Sequence, residues 1–65
     1  MLMIKIKSIS DAETGDLVSH NRTLSVISSI HQNGDSFIIG LDNGEFFECV
    51  PEERKEIFRL KSKLS

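Results

Sequence analysis

The chain has 65 residues, with one proline, one cysteine, no tryptophan or tyrosine, and a formal net charge of −2. A chain of this length makes a single domain over residues 1–65, and it buries only about 60% of the surface its unfolded form exposes. One cysteine excludes an internal disulfide, a slightly acidic balance excludes binding to polyanions by bulk charge, and no apolar run approaches the roughly 20 residues of a membrane-spanning helix.

The opening MLMIKIKSI, within residues 1–9, alternates Leu2, Ile4 and Ile6 with Lys5 and Lys7, which predicts a half-buried strand. The start is too short and too charged for a signal peptide. Residues 10–16 form a polar break; Ser10 and Glu13 have capping-box spacing and Gly15 can stop a single helical turn.

A β-meander is expected over residues 15–50. LVSHNR reads as a short strand followed by a loop. TLSVISSI reads as a longer strand, with Leu24, Val26 and Ile30 on one side and Thr23, Ser25, Ile27 and Ser29 on the other. Asn33-Gly34 is the strongest hairpin signal in the chain. As a two-residue turn it sets Ile30 against Phe37, Ser28 against Ile39 and Val26 against Leu41.

The next hairpin, GLDNGEFFECV, allows two registers. A two-residue Asn43-Gly44 loop pairs Ile39 with Glu48 and puts a carboxylate in the core stripe. A three-residue Asp42-Asn43-Gly44 loop, with Gly44 left-handed, pairs Ile39 with Phe47 and Phe37 with Cys49. Burying an unpaired carboxylate costs several kcal/mol, so the second register is favoured. Phe46 then lies across from Gly40 on the reverse side, where Ile27, Ile38 and Phe46 would form an apolar patch. Such a patch is either covered by the fold or used as a docking surface.

After Val50 the pattern changes. Over residues 51–64, Pro51, the early Glu52 and Glu53, the late Lys61 and Lys63, and the spacing of Ile57, Leu60 and Leu64 predict a helix. The competing reading is a final strand with Phe58, Leu60 and Leu64 inward.

From residue 15 onward the chain resembles SH3-like barrels of the Tudor-like sort. The residues that carry the resemblance are GDLV, then LSVISSIHQNGDSFIIGLDNGEFFECVP, and then EERKEIFRL. The resemblance implies a mainly β fold: a small SH3-like barrel, or a strongly bent antiparallel sheet of about five strands, with a short C-terminal helix. It also implies a binding role without catalysis. Methyl-lysine readers of that family use an aromatic cage, whereas here Phe37, Phe46, Phe47 and Phe58 are spread over different elements. A second resemblance is to the carbon storage regulator family of small RNA-binding homodimers. GDSFIIGL, FECVPEERKEIF and MLMIKIK carry it, with Ile6 and Lys7 nearest the positions of an RNA-binding arginine pair and Arg54 standing for another arginine.

No nucleophile sits in a recognised setting, and His20 and His31 lack partners at metal-ligand spacing. His20 is expected in a polar loop and His31 beside a turn, while Cys49 alternates into the core as a small hydrophobe. The expectation is therefore a non-catalytic, cytoplasmic binding or regulatory module with no cofactor, no metal and no membrane partner. A protein partner at Ile27, Ile38 and Phe46 on a sheet face, or at an exposed sheet edge, is the first reading. The alternative is RNA or DNA bound by Lys5, Lys7, Arg54, Arg59, Lys61 and Lys63, which needs the first strand to lie beside the C-terminal segment. Self-association as a homodimer would support so small a core.

Overall fold

The computed structural model describes residues 3–60. They form one open antiparallel sheet of six strands: β1 (Met3–Ile6), β2 (Leu17–His20), β3 (Thr23–Asn33), β4 (Ser36–Leu41), β5 (Phe46–Cys49) and β6 (Ile57–Leu60), in the spatial order β1-β6-β2-β3-β4-β5. β1 and β5 are its edges, so the sheet does not close into the expected barrel. β2 to β5 are successive antiparallel neighbours; β1 is a strand as its alternation predicts, with Ile6 buried, Ile4 40% exposed and Leu2 outside the described residues.

The core lies on one face. Ile6, Ile9, Val18, Ile27, Ile39, Leu41, Phe47, Cys49 and Ile57 are buried there, with Ala12, Ile30 and Phe37 packed against them. Ile9 enters this core from a 3₁₀ turn, Ile9–Asp11. The cap of that turn is Ser8, whose Oγ accepts from the Ser10 N–H at 3.2 Å, and not Ser10 as its spacing to Glu13 suggests.

β3 departs from the expected register. Asn33 pairs with Ser36, so the hairpin tip is Gly34-Asp35 and only Gly34 is left-handed (φ 63°). Ile30 consequently faces Ile39, and Gln32 faces Phe37. The register then shifts between Ile27 and Ser29, which brings Ile27 opposite Leu41. The expected straight pairing would have put Ser28 into the apolar stripe. A bulge at Ser28 leaves it exposed and fills the stripe with Ile27 and Ile30 instead.

The C-terminal segment is a strand in place of the expected helix. Pro51–Glu53 make only a turn, in which the Glu53 N–H donates to the Val50 carbonyl (3.0 Å) and Glu53 Oε1 accepts from the Val50 N–H (3.2 Å). β6 then inserts between β1 and β2, pairing Ile57 with Ile6 and with Val18. The strand face also differs from the competing reading: Ile57 is the inward residue, while Phe58 and Leu60 point to the other side. Backbone pairing to two neighbours and complete burial of Ile57 outweigh the helical charge pattern. Leu64 lies outside the described residues.

Candidate functional site

The site begins at the turn that joins β4 to β5. Gly44 is left-handed (φ 90°) and its N–H donates to the Leu41 carbonyl (3.1 Å), while the Leu41 N–H donates to the Glu45 carbonyl (2.8 Å). Asn43 Oδ1 accepts from the Glu45 N–H at 2.9 Å, holding the loop from inside. The three-residue loop fixes the register as expected: Ile39 faces Phe47, Phe37 faces Cys49, and Gly40 faces Phe46. Side chains alternate along β5, so Phe47 and Cys49 enter the core and Phe46 stands on the outer face, 73% exposed.

The neighbours of Phe46 on that face are small. Gly40 is opposite it, and Ser29 follows on β3; a Cβ at position 40 would collide with Ser29 Oγ. In the next row stand Glu48, the half-buried Ile38 and the exposed His31. The Glu48 carboxylate accepts from Ser36 Oγ and from Asn33 Nδ2 (3.4 Å), so the rim beside the ring is pinned by hydrogen bonds. Ile27 does not belong to this surface. It is 1% exposed and faces Leu41 in the core, a correction that follows from the Ser28 bulge.

The basic candidates divide. Lys5, Lys7 and Arg54 come together along a groove of about 640 Å³ that is also lined by Pro51, Glu52, Glu53, Lys55 and Glu56. The juxtaposition arises because β1 pairs with β6, which returns the chain to its start. Arg59 is drawn to the other side of the sheet. Its Nε and Nη2 donate to the two carboxylate oxygens of Asp16, each at 2.9 Å, and Nη2 also lies 3.1 Å from Glu13 Oε2. Asp16 is fully buried, and its carboxylate accepts from the Glu13 N–H as well (2.8 Å). The hydrogen bond to Asp16 pushes the Arg59 guanidinium up from its ordinary value. Arg59 is therefore an internal clamp rather than a surface cation. Lys61 and Lys63 lie outside the described residues.

A third cluster was not expected. His20 stacks on Phe47 with ring centroids 4.4 Å apart, and Lys55 Nζ lies 4.7 Å from the centroid of the same ring. His20 thus sits half-buried in β2, not in a polar loop. No sequence spacing links residues 20, 47 and 55; the fold brings them together. Burial pushes the Cys49 thiol up, with Glu53 adding to the rise and Lys55 opposing it, so the thiol stays protonated near neutrality. Among the described residues no three His, Cys, Asp or Glu side chains converge to hold a metal ion, and no helix is long and apolar enough to cross a membrane.

Comparison of the chain with protein-family models, with curated proteins and with solved structures finds no match.

Proposed function

We propose that this chain is a small non-catalytic binding module that engages a protein partner through the outer face of its sheet at Phe46. The observation that carries the reading is the exposure of Phe46, at 73% the most exposed large apolar side chain among the described residues. An exposed aromatic ring with small neighbours can be covered from above by a partner, and such anchors dominate binding energy at protein interfaces. Ile38 extends the apolar contact, and the hydrogen-bonded Glu48, Asn33 and Ser36 supply a polar rim.

Nucleic-acid binding is the second reading, favoured by one observation: Lys5, Lys7 and Arg54 line a single groove without an ion pair among the described residues. Glu52, Glu53 and Glu56 line the same groove and oppose a phosphate backbone there, which places this reading second.

Affinity capture from a native extract, with and without nuclease, tests the proposal when wild type and Phe46→Asp are run side by side. Nuclease-resistant capture of a defined protein by wild type, lost with Phe46→Asp while its melt stays cooperative, is the expected result. Capture that survives Phe46→Asp overturns it. Capture abolished by nuclease, and by Lys7→Glu with Arg54→Glu, would establish the second reading instead.

A further inference from the structure

The outer face carries another apolar surface, on the half of the sheet away from Phe46. Leu17 pairs with Phe58 on one side and Val26 on the other, and Phe58 pairs in turn with Lys5. Asp42 closes the row, its N–H donating to the Val26 carbonyl at 3.0 Å. A single line across four strands and the turn that follows β4 therefore reads Lys5, Phe58, Leu17, Val26, Asp42. The strand neighbours Ile6, Ile57, Val18 and Ile27 are buried, so Lys5, Phe58, Leu17 and Val26 face outward, and Asp42 is exposed in the turn after the buried Leu41. Its three apolar members are half-buried, and its two charged ends are exposed. Leu24 (49% exposed) and Met3 (45% exposed) extend the apolar surface on either side of it.

We propose that this row is the interface of a homodimer, in which a second copy of the chain packs face to face about a two-fold axis running along β2 at Leu17. The argument is the charge pattern. The row has an apolar centre and opposite charges at its ends. Rotation about an axis parallel to the strands lays Leu17 on its own copy, Phe58 on Val26 of the second copy, and Lys5 on Asp42 of the second copy, twice over. The alternative in-plane axis, across the strands, would set Lys5 against Lys5 and Asp42 against Asp42. A surface complementary to itself under one rotation and repulsive under the other is what an isologous contact needs.

Within one chain the two charges cannot serve each other. They stand four strand spacings apart, roughly 19 Å, which is well beyond the screening length of about 8 Å at physiological ionic strength. Neither takes part in an ion pair among the described residues. A second copy supplies both with partners and covers the apolar centre, giving a 65-residue chain the second sheet that its own length does not provide. Phe46 lies on the edge strand β5, one strand beyond β4 and outside this row.

Sedimentation equilibrium of the full chain, over a range of concentrations at low and at physiological salt, tests the proposal on four proteins: wild type, Lys5→Glu, Asp42→Lys and the double exchange. The expected result is a wild-type dimer, a dissociation constant raised roughly tenfold by either single reversal, and recovery to near the wild-type value in the double variant. Both side chains are exposed, and the double variant controls for folding because it carries both changes at once. A monomeric wild type at every concentration, single reversals without effect, or a double variant weaker than either single would overturn the proposal.

Discussion

Phe46 and Phe47 are the same side chain one position apart, yet one is 73% exposed and the other 9%. Strand parity forces them to opposite faces, and the turn decides which goes where. That decision was legible in the sequence, because Gly44 suits a left-handed position and the alternative register buries Glu48. Ile27 was not legible in the same way. Its side is set by the bulge at Ser28, and nothing local to LSVISSI marks a bulge; only the cost of a serine in the apolar stripe points to one. The two phenylalanines should therefore behave oppositely in urea unfolding. Phe47→Ala is expected to lower stability by about 3–5 kcal/mol, whereas Phe46→Ala should change it by no more than about 0.5 kcal/mol. Equal losses would mean that Phe46 is part of the core.

Among the elements, β6 shows how far a local pattern can mislead. PEERKEIFRLKSKL, residues 51–64, satisfies helical charge placement and also contains the four-residue strand Ile57–Leu60. The choice between them depends on groups far away in sequence. Arg59 reaches Asp16, 43 residues earlier, and Ile57 is buried against Ile6 and Val18. The sequence holds both Asp16 and Arg59 but no spacing that pairs them. Because Asp16 is fully buried, removing its cation leaves a carboxylate without its main partner. Arg59→Leu is expected to lower the thermal midpoint, followed by circular dichroism, by roughly ten degrees or more. Arg59→Lys should recover only part of the loss, since an ammonium cannot donate to both oxygens in the planar fork geometry. A midpoint unchanged by Arg59→Leu would show that the clamp does not hold β6.

At the scale of the molecule, one face of the sheet builds the core and the other presents two distinct surfaces: the Phe46 end with its polar rim, and the Leu17 row with its charged ends. The mainly β meander was readable from alternation and turn chemistry. The six-strand order was not, because it depends on β6 entering between β1 and β2, a contact between the two ends of the chain. That same contact brings Lys5 and Lys7 to Arg54, while Arg59 is held on the other side of the sheet by Asp16. The most direct measurement is an amide chemical-shift map of the isotope-labelled chain titrated with the protein that wild type captures. Perturbations centred on Phe46, Gly40, Ser29 and Ile38 are expected. Perturbations confined to Lys5, Lys7 and Arg54, with Phe46 unmoved, would contradict the proposal.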